Sequence, residues 1–91
     1  TEARSIARDI LERLARPVGH RFDRAGFLSN GYHRRDVDAF ASRLTNYFQD
    51  GRPMSIDEVR TVAFRSQKGG YREAQVDLLL DAVITVMLAV R

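Results

Sequence analysis

Apolar residues recur at helical spacing in four stretches of the chain, and the gaps between them are polar, rich in glycine or broken by proline. In residues 2–15, Ala3, Ile6, Ala7, Ile10, Leu11 and Leu14 fall on one face of a 3.6-residue period, which predicts an amphipathic helix. Pro17 ends it, because the residue before a proline is pushed out of the α region. A second helix is predicted over about 34–49, with Val37, Phe40, Ala41, Leu44, Tyr47 and Phe48 as its apolar face. Asp36 and Asp38 lie in or near its first turns, where carboxylates favour the positive end of the helix dipole. Ser55-Ile-Asp-Glu58 matches a capping box, and Met54 and Val59 are placed as its hydrophobic staple, so a short helix should run to about Val62. No stretch alternates as a strand of useful length would. The expected class is all-α: one small helical domain of about four helices spanning 1–91.

The last predicted helix, about 73–90, is apolar nearly all round. Val76, Leu79, Leu80, Val83, Met87 and Val90 fill one face, while Leu78, Ile84, Val86 and Leu88 point elsewhere. A helix of this kind is either the central core element or is buried against a second chain. The second set is therefore the expected self-association surface, and a homodimer is the expected assembly.

The helices also carry a repeat. Gly31-Tyr32-His-Arg-Arg-Asp-Val37-Asp38 returns as Gly70-Tyr71-Arg-Glu-Ala-Gln-Val76-Asp77 at a constant offset of 39 positions (71 − 32), with the apolar phase of the following helices in register. One Gly-Tyr-x4-Val-Asp unit is written twice, over about 18–48 and 55–88, and repeats of this kind are more often architecture than chemistry. The in-phase units predict that helices 34–49 and 73–90 pack together and roughly parallel. Each Gly is expected to supply permissive backbone angles for the turn into its helix. Each Tyr can cover the helix start with its ring while its hydroxyl reaches water, but simple core packing is the role expected of both Tyr32 and Tyr71.

Charge changes this picture in one region. Residues 1–35 hold eight Arg against Glu2, Asp9, Glu12 and Asp23, a balance of +4, whereas residues 36–91 hold seven cations against eight acids, a balance of −1. A basic N-terminal half suits an anionic partner, but a solvated face of an ordinary Arg-rich protein is the simpler reading. Gly26-Phe27-Leu28-Ser29-Asn30 sets two large apolar residues in a polar connection, with Arg21 and Arg24 before them and Arg34 and Arg35 after. Turned outward, this segment is a candidate membrane loop carried by Arg24, Phe27, Leu28 and Arg34; turned inward, it packs on Phe22 and the first helix. Arg4, Arg8, Arg13 and Arg16 on the first helix support the alternative of a small basic helical nucleic-acid-binding domain. Asp9 and Glu12 interrupt that surface, and the connection 63–72 is too long for a helix-turn-helix.

Catalytic and metal-binding patterns are missing from the sequence. The chain has no cysteine and only two histidines, His20 and His33, both in the first connection and without metal-ligand spacing. Ser29, His33 and Asp36 are sequence neighbours without the strand-turn-helix context of a nucleophile elbow. Gly69-Gly70 lacks the spacing of a phosphate loop. No enzyme activity, cofactor, metal or small-molecule substrate is expected. There is no signal-peptide h-region and no uncharged stretch long enough to span a bilayer, so a cytoplasmic or membrane-peripheral location is expected. The start at Thr1 fits removal of an initiator Met or a fragment of a longer chain.

Phe64-Arg-Ser-Gln-Lys-Gly69-Gly70-Tyr71 followed by Val76-Asp77-Leu-Leu-Leu80-Asp81-Ala82-Val83 resembles the DivIVA-domain proteins of bacterial polar growth and cell division. The first copy, Phe22 … Gly31-Tyr32 … Val37-Asp38-Ala-Phe40, resembles it too, with a Phe-to-Gly connection three residues longer (9 against 6). The tandem arrangement and the Arg bias are similar to repeated DivIVA-like proteins of high-GC Gram-positive bacteria. The resemblance implies a non-enzymatic scaffold whose loops touch the inner face of the membrane at the pole or septum and whose partners are division proteins. The chain departs from the family pattern in having no long heptad tail after Val90.

Overall fold

The first helix starts where Thr1 accepts the Arg4 amide on its hydroxyl at 3.2 Å, and it runs over Glu2–Leu14 as α1. A computed structural model describes residues 1–90 and continues with β1 (Asn30–Tyr32), α2 (Arg34–Asp50), α3 (Ile56–Thr61), β2 (Ser66–Lys68) and α4 (Glu73–Ala89). The four helices stand within a residue or so of their expected bounds. α2 ends at Gly51, whose φ of 68° is the left-handed conformation that closes a helix with least strain. The Ser55 hydroxyl accepts the Glu58 amide at 3.1 Å, as half of the expected box. Glu58 itself turns outward to pair with Arg43 at 3.1 Å instead of returning to the cap.

The all-α expectation needs one correction. β1 and β2 form a two-stranded antiparallel sheet, with Asn30 opposite Lys68, Gly31 opposite Gln67 and Tyr32 opposite Ser66. Three-residue strands are too short to show alternation, so periodicity could not reveal them. The protein is mostly helical with this one small two-stranded sheet.

The expected side-by-side packing of 34–49 and 73–90 is also corrected. α4 lies mainly against α1 and α3, and α2 lies against α1, so the two repeat helices are joined through α1 and through the sheet. One core results, with Ile10 and Leu14 from α1, Val37, Phe40 and Leu44 from α2, Val59 from α3, and Val76, Val83 and Met87 from α4.

Cover on two sides explains which apolar residues of α4 disappear. Val86, expected on the outer face, is buried at 5 % exposure, and Ile84 is half-buried against the core. Only Leu78 and Leu88 of the expected self-association set are exposed, at 69 % and 49 %.

Candidate functional site

Tyr32 and Tyr71, equivalent in the repeat, meet backbone to backbone as an antiparallel bridge. The Tyr32 amide donates to the Tyr71 carbonyl and the Tyr71 amide to the Tyr32 carbonyl, both at 2.9 Å. Gly31 and Gly70 lie beside this crossing. A Cβ on Gly31 would overlap the Tyr71 carbonyl oxygen, and one on Gly70 would overlap the Tyr32 carbonyl oxygen. Neither glycine has a positive φ, so the expected reason for them was wrong. They are needed for close approach of two backbones.

Contacts around the crossing come in reciprocal pairs. The Tyr32 hydroxyl donates to Asp77 at 2.8 Å, and the Tyr71 hydroxyl donates to Asp38 at 2.8 Å. Phe22 stacks edge-on against Tyr71 with centroids 5.3 Å apart, and Phe64 tilts against Tyr32 at 5.2 Å. The His33 amide donates to the Arg65 carbonyl at 2.7 Å, and the Arg72 amide to the Asp23 carbonyl at 2.9 Å. Asp23 bonds Gln75 through its amide at 2.8 Å, while the Arg65 amide donates to Asp36 at 3.0 Å. Before the Gly-Tyr pairs the offset is 42 (64 − 22), three more than 39, as the longer first connection requires. Each Gly-Tyr loop is therefore braced by the Asp of the other half's helix.

The core packing expected of the tyrosines holds for Tyr71, which is fully buried, and Tyr32 packs half-buried against the same core. The aspartates, expected only as charges near helix starts, also accept from the hydroxyl of a distant tyrosine, in a buried bond at Asp38 and an exposed one at Asp77. The constant Tyr-x5-Asp spacing was the signal available in the sequence, but it could not show that each Tyr bonds the Asp of the opposite copy. Burial and the hydrogen bond to a carboxylate push the hydroxyls of Tyr71 and Tyr32 each up to about 12.

The two braces differ in burial. Asp38 is 6 % exposed, and it also accepts from the Gly19 amide at 2.9 Å and from the Arg21 guanidinium at 3.4 Å. Arg21, itself 8 % exposed, donates further to the Leu14 and Asp38 carbonyls, each at 3.1 Å. The position equivalent to Arg21 in the second half is Ala63 (63 − 21 = 42), and Asp77 is exposed. Sequence reasoning placed Arg21 near a surface loop and missed its role, because arginine is rarely buried without a partner and the partner lies seventeen residues away. At the surface, Arg65 grips Asp36 at 2.7 Å and holds its carboxyl well below the usual range, mainly through their side-chain hydrogen bonding.

The candidate loop lies at the edge of the small sheet. Phe27 is 81 % exposed and Leu28 72 %, so both point outward instead of folding onto Phe22. The loop backbone is nonetheless tied down: the Ser29 amide donates to the Gly26 carbonyl at 2.7 Å and the Gly69 amide to the Ser29 carbonyl at 2.9 Å. Arg24 donates to the Gly69 carbonyl at 2.9 Å. Lys68, a residue not singled out from the sequence, reaches the Leu28 carbonyl at 3.5 Å and sets a cation beside the apolar tip. Arg34 departs from its expected place at the tip. It is half-buried beside the 17–20 turn, with its guanidinium 3.5 Å from the Gly19 carbonyl.

Among the described residues no group of His, Cys, Asp and Glu is arranged to hold a metal ion, and no helix is long and apolar enough to cross a membrane. His33 and Asp36 come within 3.9 Å of each other, but Asp36 is committed to Arg65. No protein-family profile, curated protein or solved structure matches the chain.

Proposed function

We propose that this protein is a non-enzymatic, DivIVA-like scaffold module, self-associating and peripheral at the inner face of the cell membrane, where it serves cell division or polar growth. The observation that carries this reading is the 26–30 loop. Two adjacent large apolar side chains stand in solvent on a backbone held by hydrogen bonds, with Arg24 and Lys68 beside them. An isolated exposed leucine needs no explanation, but a fixed Phe-Leu tip next to cations has the composition of an interfacial anchor. Apolar insertion supplies burial and the cations supply attraction to anionic lipid; each alone gives weak, reversible binding.

The reciprocal Tyr–Asp braces fit the same reading. Two Gly-Tyr-x4-Val-Asp units within one chain would do what two protomers of a single-unit protein do together, producing a rigid platform for the loop. Only the first unit has an apolar tip; the stretch before Gly70 in the second is Ser66-Gln67-Lys68-Gly69, most of it the strand β2. One tip per chain means that stable attachment depends on bringing several chains together.

A fluorescent fusion expressed in the native cell tests this directly. Foci at the pole or septum are the expected result. Uniform fluorescence would contradict membrane scaffolding, and nucleoid staining would favour the basic-helix alternative.

A further inference from the structure

We infer that a second copy of this chain docks in the groove between α1 and α4, with Leu78 as the inserted side chain. This deepens the reading of the protein as a self-associating scaffold and rests on it. The groove has a volume of about 380 Å³ and opens to solvent between the two helices. Ile6, Leu79 and Ala82 form its apolar wall, and Asp9 and Arg13 from α1 line its rim. Leu78 belongs to the same lining and is 69 % exposed, the most exposed leucine of α4. Knob and hole therefore occupy one patch.

A patch that carries both is self-complementary about a two-fold axis, the usual arrangement in homodimers. The rim charges favour the same occupant. Asp9 and Arg13 are one helical turn apart, so an antiparallel approach of two α1 helices sets each Asp9 against the partner copy's Arg13. Asp9 has no ion-pair partner among the described residues. Arg13 is already held in place, with its guanidinium 5.2 Å from the centre of the Phe22 ring and 3.3 Å from the Arg21 carbonyl. Holding it in advance lowers the ordering cost of forming the pair. The molecule measures 41 × 22 × 20 Å, so a face centred on α1 yields a contact at the small end of stable interfaces. The dimer should be weak, rapidly reversible and concentration-dependent.

Sedimentation velocity over a several-hundredfold concentration range provides the test, with far-UV circular dichroism as the control for folding. Wild type should shift from monomer to dimer. Leu78→Glu, a change at an exposed side chain, should weaken association at least about tenfold at unchanged helicity. Asp9→Arg should weaken it less and reverse its salt dependence, since two guanidinium groups would then face each other and salt would screen their repulsion, whereas Leu88→Glu, outside the groove, should leave it intact. A dimer that survives Leu78→Glu would overturn this surface while leaving self-association standing. Loss of the dimer in Leu88→Glu in its place would move the interface to the end of α4. A monomer at every concentration would refute self-association itself.

Discussion

Gly31→Ala and Gly70→Ala are each expected to cost at least about 3 kcal/mol of folding stability, a figure at the upper end of ordinary overpacking penalties. Most overpacked sites relax because a side-chain end moves aside. Here the atoms in the way are the Tyr71 carbonyl with the Gly70 backbone in one case, and the Tyr32 carbonyl with the Gly31 backbone in the other. Moving them means parting the two amide–carbonyl bonds that join the halves. Gly26→Ala supplies a control, since its new methyl would meet nothing closer than Ser29 at 3.5 Å. It should be nearly neutral, within about 0.5 kcal/mol. Urea unfolding followed at 222 nm measures all three. The double variant Gly31→Ala/Gly70→Ala should be less destabilised than the sum of the singles, because the first methyl already separates the contact that the second would disturb. Full additivity would show that the glycines act at independent places.

The second large effect is expected at Asp38. Asp38→Ala removes the counter-ion of a buried guanidinium and leaves the Tyr71 hydroxyl and the Gly19 amide without their acceptor. Breaking a buried pair from one side costs about 3–5 kcal/mol, a large fraction of a small domain's stability. Asp77→Ala deletes the equivalent bond to Tyr32 at an exposed site and should cost only about 1 kcal/mol. The comparison separates the shared Tyr–Asp geometry from the burial that only the first half adds through Arg21. Equal losses for the two variants, measured by the same urea titration, would mean that the Arg21 environment contributes nothing.

The first three helices were legible in the sequence from an apolar face and a recognisable boundary, Pro17 after α1, Gly51 after α2 and Ser55 before α3, whereas α4, apolar nearly all round, was legible from its long apolar run alone. The sheet was not, since its strands are three residues long and pair across more than thirty intervening positions. The repeat showed which residues matter, Gly31, Tyr32 and Asp38 with their counterparts, but it suggested the wrong reason for the glycines and did not show that each Tyr bonds the Asp of the other copy. Periodicity reports a residue's phase on its own element; it does not report which distant element faces it. Arg21 was hidden for that reason, as was Val86, whose burial depends on α4 being covered by both α1 and α3. Phe27 and Leu28 stood out in the sequence as apolar residues in a polar connection, but their direction depended on the Gly69 and Arg24 bonds that close the loop.

Co-sedimentation with liposomes addresses the central claim most directly, comparing wild type with Phe27→Ser/Leu28→Ser on anionic and on neutral vesicles. Both side chains are solvent-exposed, so the double variant should fold as wild type does. Wild type is expected to pellet with anionic vesicles, less so at high salt, and to remain in solution with neutral ones. The variant is expected to stay in the supernatant with both. Equal pelleting of the two proteins, or pelleting of neither, would contradict the assignment of the 26–30 loop as a membrane anchor.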